Sequence, residues 1–227
     1  VIMNLDYIFP TPIWWVDLKI DISKMQNICY SIANSMEGKS SSNRGLLNYQ
    51  SPDFMGEQII SDFDNGNKVD ELGLLLKDIK RNAVDCYKTF GPVSTELDFA
   101  NVWVNINGKG GYNEVHTHPG CVLSGVYYVK SPKEGEPGKI CFHRDGIDGY
   151  VLHSLGIADG MSAALHASSI WSYPPTEGRL FLFPAWVSHG VRENETDDHR
   201  ISISFNLISK RSKQDLLNII TNSDTCL

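Results

Sequence analysis

The chain of 227 residues has no long hydrophobic run and no cluster of basic residues. Its longest apolar stretches, such as 13–16 and 74–76, are far shorter than the roughly 20 residues of a membrane-spanning helix. Lys and Arg total 20 against 27 Asp and Glu, which gives a net charge of -7. Because binding to a nucleic-acid phosphate backbone needs clustered cations, we expect no nucleic acid among the partners. The short apolar stretches likewise predict no membrane partner.

Cysteines are few, and their placement excludes a disulfide framework. The five are widely scattered and contain no CxxC pair: Cys29, Cys86, Cys121, Cys141 and Cys226. This usage is typical of free thiols in a reducing compartment. The first residues also lack the basic-then-apolar order of a signal peptide. We therefore expect a soluble, cytoplasmic protein.

Helical patterns come first in the chain and strand patterns follow. Residues 7–17 suggest an extended segment, and apolar spacing predicts helices over 22–36 and 69–87, the second ended by Gly91-Pro92. From Leu97 onward, period-two alternation and turn residues predict strands. These are 99–107, 122–130, 139–143, 149–154, 168–173, 179–184 and 200–208, before a final helix over 212–220.

Many short, regularly spaced strands indicate a mainly β sandwich or barrel with flanking helices. No linker divides the chain, so we expect one domain over 1–227. Residues 1–96 would form an extended segment and supporting helices, 97–208 the β core, and 209–227 a C-terminal helix and tail.

Three histidines are placed as metal ligands would be. His116 and His118 form a His-Thr-His pair at the mouth of a predicted strand, where residues i and i+2 face the same side. His189 follows the strand LFLFPAWVS, and a barrel brings such distant strand ends together. Imidazole suits first-row transition metals, and three protein ligands leave positions open for reactants.

Arg200 opens a strand that is apolar at alternate positions, and Ser202 follows on the same face. A guanidinium that enters a barrel needs an anionic partner, because burial of an unpaired charge is costly. A ligand carboxylate would meet that need with a bidentate contact, to which the Ser202 hydroxyl adds a hydrogen bond. The alternative is a surface arginine paired with Asp197 or Asp198.

Further polar candidates lie on predicted strands. Of Tyr127 and Tyr128, one must point inward, where its phenol is suited to a bound carboxylate. Trp103, Asn105 and Asn107 share one strand face, and adjacent inward amides indicate hydrogen bonds to a ligand or to each other. The polar segment with Asn48, Gln50 and Ser51 is a candidate border of the site.

Together these residues resemble the iron(II)- and 2-oxoglutarate-dependent oxygenases, in the branch related to prolyl hydroxylases. The resemblance covers three ordered blocks, roughly half of the chain: an opening FPTPIW, a central HTHP followed by SGVYYV, and a closing EGRLFLFPAWVSHGV with RISISFN. It implies a double-stranded β-helix (jelly-roll) barrel. It also implies a dioxygenase that uses Fe(II), dioxygen and 2-oxoglutarate to hydroxylate a peptide or small-molecule substrate, with release of succinate and carbon dioxide.

The resemblance also implies roles by position. His116 and His189 match the two histidine ligands of the metal, and His118 stands where the wider superfamily has Asp or Glu. Arg200, with Ser202 and Tyr128, matches the residues that bind the distal carboxylate of 2-oxoglutarate, and Asn105 is a further cosubstrate candidate. Arg144 and Trp103 are candidates for substrate contact.

Two other functions fit the same residues. A cupin-like metal enzyme also carries His-x-His on a barrel strand, but it has no special need for an inward arginine on the final strand. A non-catalytic barrel would use the histidines for structural zinc or not at all.

Trp14-Trp15 would form an exposed apolar patch, which suggests a homo-oligomer.

Overall fold

The computed structural model describes residues 10–36, 39–40, 48–54, 56–66, 70–92, 94–144 and 169–210. Its helices are α1 (Ile22–Ser35), α2 (Gly56–Asp64) and α3 (Glu71–Lys88). Its strands are β1 (Trp14–Asp17), β2 (Lys39–Ser40), β3 (Asn48–Gln50), β4 (Leu97–Asn107), β5 (Asn113–His116), β6 (Leu123–Lys130), β7 (Ile140–His143), β8 (Ile170–Tyr173), β9 (Arg179–Pro184), β10 (His189–Val191) and β11 (Arg200–Ser209). The predicted strand over 149–154 and the predicted helix over 212–220 lie outside the described residues.

The described strands form two antiparallel sheets that face each other. The large sheet has the order β1-β9-β6-β11-β4-β3-β2, and the small sheet has the order β5-β10-β7-β8. No hydrogen-bonded strand pair joins the two sheets within the described ranges, so the barrel expected from the sequence is a two-sheet jelly roll rather than a closed cylinder.

Side-chain caps fix where two helices begin. The Asp21 carboxylate accepts a hydrogen bond from the Lys24 backbone N–H at the start of α1, and Asp70 does the same for Gly73 in α3. Gly73 weakens the helical pattern of the sequence, but the structure gives it a packing role. A Cβ at this position would lie 2.6 Å from the Phe63 ring, so the close approach of α2 and α3 requires glycine.

Both faces of the large sheet are buried, against different neighbours. On one face, the apolar residues of β4, β6 and β11 join those of α1 and α3 in the main hydrophobic core, which includes Val102, Val104, Tyr127, Ile201, Ile203, Leu75 and Ile79. On the other face, polar residues of the same strands line a cavity between the two sheets. The helices therefore stabilise the sheet from outside and leave its inner face to the site.

The predicted extended segment is confirmed over its described part. Strand β1 pairs with β9, with Trp14 opposite Leu182. The Trp14 ring packs edge-on against Phe90 at 5.8 Å between centroids, while Trp15 is 54% exposed and carries the Arg179 guanidinium over its ring. The exposed apolar patch is thus reduced to one indole, and a homo-oligomer stays a prediction.

Candidate functional site

Three histidines converge at one end of the cavity between the sheets. His116 ends β5, and His189 begins β10 directly opposite it in the antiparallel pair. His118 lies beyond the end of β5, and its backbone N–H donates to the carbonyl of Ala185. The strand that holds His116 thus ends before His118, although the two rings still face each other with 4.8 Å between their centroids. One ligand atom from each ring still lies within 4.8 Å of the other two.

Backbone carbonyls set the tautomers of His116 and His189. The Nδ1 atom of His116 lies 2.7 Å from the Glu114 carbonyl oxygen, and that of His189 lies 2.8 Å from the Val187 carbonyl oxygen. Because a carbonyl only accepts, each Nδ1 carries the donated proton, and each Nε2 keeps its lone pair. This is the arrangement by which proteins orient histidine ligands of metals, so the two rings fit a metal ion.

The third ring, His118, has a side chain as its neighbour. Its Nδ1 atom lies 3.3 Å from the amide nitrogen of Asn206, which is buried on β11. Burial lowers the pKa of His118 to about 4, with a further contribution from His116, and burial lowers the pKa of His189 to about 4. Both rings are therefore neutral near pH 7, as metal ligation requires.

Arg200 lies in the wall of the same cavity and is 1% exposed. Asp197 and Asp198, the carboxylates adjacent in sequence, bind Lys109 and Lys130 instead. The surface-arginine alternative is therefore wrong. Burial lowers the pKa of Arg200 to about 10, so the guanidinium remains a cation at neutral pH.

Backbone carbonyls hold one end of the Arg200 guanidinium. Nη1 donates to the carbonyl oxygens of Pro137 at 2.7 Å and of Gly138 and Arg192 at 3.2 Å, and Nη2 donates to Gly111 at 3.5 Å. Among the described residues, no acceptor engages Nε–H or the second N–H of Nη2. Nε and Nη2 are adjacent donors of the guanidinium, and such a pair can bind a carboxylate in a bidentate way.

The carbonyl cradle of Arg200 requires glycine at position 138. Gly138 has a φ of +82°, and a Cβ there would collide with the Arg200 Nη1 atom and with the Arg192 carbonyl oxygen. The turn that ends the loop between β6 and β7 thus places the guanidinium as well as reversing the chain.

Several polar atoms in the cavity wall lack a hydrogen-bond partner among the described residues. These buried atoms are Asn105 Oδ1, Asn107 Nδ2 and the Tyr128 hydroxyl oxygen. Burial raises the pKa of Tyr128 to about 12, so its hydroxyl keeps its proton. Unpaired buried polar atoms destabilise a fold unless a ligand or water satisfies them. Their grouping with Ser202 and Arg200 in one wall indicates a polar, anionic ligand.

A second pocket, an open trough, shares Trp103, Asn113, His116 and His118 with the inner cavity. It encloses about 550 Å³, within the roughly 300–1,000 Å³ typical of ligand pockets. Its walls include Trp103 and the side chains of the segment before α2, namely Gln50, Ser51 and Asp53. Gln50 and Ser51 of the predicted polar border thus line the trough, whereas Asn48 lines neither space as far as the described residues define their walls.

The structure brings together every predicted site residue except one. Trp103 lines both the cavity and the trough, whereas Arg144, which follows β7, lines neither of them as far as the described residues define their walls. Sequence reasoning gave no role to Asn206 or Asp53. Asn206 sits in the alternation of β11 with Arg200 and Ser202, and that spacing was the available signal.

The central part of the chain matches a known family model. Residues 101–206 match the model of a family described as putative 2OG-Fe(II) oxygenase. These residues run from β4 to β11 and contain all three histidines and Arg200. The resemblance found in the sequence is therefore confirmed over this segment. Among curated proteins, none shows significant similarity to the chain.

Solved structures share the fold at low sequence identity. The non-heme alpha ketoglutarate dependent epimerase SnoN from nogalamycin biosynthesis is 14% identical, with a TM-score of 0.58 over 88% of this chain and 77% of that one. HygX from Streptomyces hygroscopicus, crystallised with nickel and 2-oxoglutarate, is 10% identical, with a TM-score of 0.53 over 88% and 84%.

The viral collagen prolyl hydroxylase vCPH from Paramecium Bursaria Chlorella virus-1, solved as a 2OG complex, is 13% identical, with a TM-score of 0.52 over 86% and 94% of the two chains. These likenesses confirm the double-stranded β-helix fold. In the part of the chain that the structure describes, no helix is long and apolar enough to cross a membrane.

Proposed function

Because residues 101–206 match the 2OG-Fe(II) oxygenase family, we propose that this protein is an iron(II)- and 2-oxoglutarate-dependent dioxygenase that hydroxylates its substrate. The observation that carries the proposal is the pairing, in one cavity, of three convergent imidazoles with a buried arginine that has a free edge. When bound, iron(II) and 2-oxoglutarate would provide the chemistry by which dioxygen oxidises a substrate, with release of succinate and carbon dioxide.

His116, His118 and His189 are the proposed metal ligands. His116 and His189 face the site with Nε2 lone pairs, because the carbonyls of Glu114 and Val187 hold the Nδ1 protons. Three neutral ligands leave the full positive charge of the ion to be balanced by bound anions. A dicarboxylate cosubstrate supplies such an anion.

Arg200 is the proposed partner of the distal carboxylate of 2-oxoglutarate. Its Nε–H and free Nη2–H donate to the two carboxylate oxygens, and the Tyr128 and Ser202 hydroxyls are placed in the same wall to donate further hydrogen bonds. Asn105 and Asn107 present unpaired amide atoms to the cavity, where they orient the rest of the cosubstrate. A cupin-like enzyme would have no use for this buried cation, so Arg200 favours the oxygenase.

The substrate is proposed to bind in the trough. Because His116 and His118 line both spaces, a cosubstrate in the inner cavity and a substrate in the trough would meet at these histidines. The Trp103 indole supplies an apolar surface beside His118, with 6.2 Å between ring centroids. Gln50 and Asp53 supply hydrogen-bonding groups suited to a polar small molecule or a peptide.

Anaerobic titration of the iron(II)-loaded protein with 2-oxoglutarate tests the function. We expect a visible charge-transfer band that grows and saturates, as iron(II) chelated by a 2-oxo acid gives. His189→Ala removes one of the rings locked for ligation, so we expect this variant to lose iron(II) and the band. Iron(II) binding without a band would favour a cupin-like enzyme, and a wild-type protein that binds no iron(II) would contradict the proposal.

A further inference from the structure

His118 differs from the other two histidines in what holds its ring. Backbone carbonyls, which only accept, fix His116 and His189, whereas His118 Nδ1 contacts the side-chain amide of Asn206. An amide has a donor end and an acceptor end. The tautomer of His118 therefore depends on which end of Asn206 faces the ring.

The hydrogen-bonding neighbours of Asn206 are compatible with either orientation of its side-chain amide. In the structure, Asn206 Oδ1 accepts from the Ser124 hydroxyl at 2.6 Å, and Nδ2 donates to Asn101 Oδ1 at 2.7 Å and faces His118 Nδ1. In this orientation Nδ1 of neutral His118 accepts, so the ring proton sits on Nε2 and blocks that lone pair. A half-turn of this amide, together with a half-turn of the Asn101 amide, reverses every partner: the Ser124 hydroxyl then accepts, and Asn101 Nδ2 and His118 Nδ1 donate to Asn206 Oδ1.

We propose that Asn206 positions His118 as the third metal ligand, with Asn206 Oδ1 accepting the Nδ1 proton and Nε2 left free for the ion. This rests on the proposed metal site and goes beyond it, because it assigns a role to a residue that does not touch the metal. Asn206 then does for His118 what the Glu114 and Val187 carbonyls do for His116 and His189.

The position of Asn206 suits that role. It lies opposite Asn101 on β4 and Ser124 on β6, so the pairing of three strands fixes its backbone on both sides. Asn206 is 3% exposed and Ser124 is 1% exposed, which leaves little room for water to replace the amide. The hydrogen bonds of Asn206 also belong to the trough, since Asn101 and Asn206 line it beside His118.

Cobalt(II) binding to the folded apoprotein tests the proposal without reference to turnover. The readouts are the dissociation constant and the visible d–d spectrum of the bound ion. Asn206→Leu keeps the side-chain size and removes the acceptor, so we expect cobalt(II) to bind about 10- to 100-fold more weakly, the range for lost outer hydrogen bonds to metal ligands. Asn206→Asp supplies a permanent acceptor, so we expect binding at least as tight as that of wild type.

Asn194→Leu is the matched control, because Asn194 is equally buried but bonds to the Asn107 and Asp198 carbonyls away from the histidines. We expect this variant to lose stability and keep its cobalt(II) affinity. An Asn206→Leu protein with the wild-type dissociation constant and spectrum would overturn the proposal, as would an Asn206→Asp protein that binds no better than the leucine variant.

Proton-detected nitrogen NMR of the zinc(II)-loaded wild type gives a test that needs no variant. We expect a ring proton on Nδ1 of His118 and zinc at Nε2. A proton on Nε2, or zinc at Nδ1, overturns the role of Asn206. The outcomes also separate the two proposals: wild-type protein without cobalt(II) affinity contradicts the metal site, whereas normal wild-type binding with an inert Asn206 contradicts only this inference.

Discussion

The two buried faces of the large sheet are built from opposite chemistry. Along β11, Ile201, Ile203 and Leu207 enter the core beneath the helices, while Arg200, Ser202, Ser204 and Asn206 alternate with them on the side of the cavity. The helix-side residues bury apolar area, which is the main favourable contribution to folding. The cavity-side residues include unpaired polar atoms, which oppose folding until a ligand binds.

Two consecutive residues of β6 show the same division. Tyr127 belongs to the core under α1, whereas Tyr128 belongs to the cluster around the cavity, and each has a buried hydroxyl without a partner among the described residues. The sequence predicted that one tyrosine would point inward, and it is Tyr128. We therefore expect stability and ligand binding to be separable by face, so that substitutions on neighbouring residues affect one without the other.

A substitution on the helix side should give the largest change in stability. Ile203 is fully buried in the main core, and Ile203→Ala removes three carbons from it. We expect the free energy of unfolding to fall by roughly 3 kcal/mol, within the range for such truncations. Denaturant unfolding measures the loss. In the folded protein, the dissociation constants of iron(II) and 2-oxoglutarate should stay at wild-type values, and a change in either would mean that the faces are coupled.

The opposite pattern is expected for Arg200→Met on the cavity side. Loss of the bidentate contact should weaken 2-oxoglutarate by about 2–3 kcal/mol, the scale of hydrogen bonds to charged groups. The free energy of unfolding should change less than in Ile203→Ala, because relief from burying a cation without a described carboxylate partner offsets the loss of its hydrogen bonds to four backbone carbonyls. Calorimetric titration of the metal-loaded protein and denaturant unfolding provide the two values.

Arg192→Met is the control for that charge change. Arg192 is exposed, and it contributes a backbone carbonyl rather than its side chain to the Arg200 cradle. We expect this variant to bind 2-oxoglutarate like wild type. If Arg200→Met also binds normally, then the carboxylate partner assigned to Arg200 is wrong.

The two tyrosines offer a smaller but matched comparison. Tyr128→Phe removes a hydroxyl from the cavity wall where we propose that 2-oxoglutarate binds, so we expect 2-oxoglutarate to bind about tenfold more weakly, equivalent to one net hydrogen bond. Tyr127→Phe removes a hydroxyl from the helix-side core, and we expect unchanged binding with equal or slightly higher stability. Equal effects of the two variants on binding would contradict the assignment of Tyr128 to the site.

The sequence predicted the β core and most of the site because both depend on local alternation. Period-two patterns predicted β4 and β11 and placed Arg200 and Ser202 on one face, whereas turn residues marked the limits of β6 and β9. Histidine convergence was also predicted, although the geometry differs, since His118 lies past the end of β5. The His-Thr-His spacing was informative because the two rings lie on the same side even though the strand ends at His116.

What the sequence did not predict depends on contacts between distant segments. Helix α2 is a short amphipathic segment whose position is set by α3 and β4, as the Gly73–Phe63 contact shows. Asn206 has no local signal for its contact with His118, which is 88 residues away. The carbonyl cradle of Arg200 likewise uses backbone atoms from three loops, and backbone atoms leave no mark in a pattern of side chains.

The pH dependence of the apoprotein's stability should reflect chiefly the two buried histidines of the cavity. Burial lowers the pKa of His118 and of His189 to about 4, below their value of about 6.5 in the unfolded chain. Between these values the unfolded chain binds more protons, so stability from this source is complete above pH 6.5 and is lost as the pH falls toward 4. Denaturant unfolding across this interval should show the decline.

The variant with both His118→Gln and His189→Gln should show a flatter profile. The remaining slope in this window comes from other histidines such as His199, whose pKa burial also lowers. A double variant with the wild-type slope would mean that the two rings are already solvated. The cavity would then not exclude water from these histidines any more than the protein surface does.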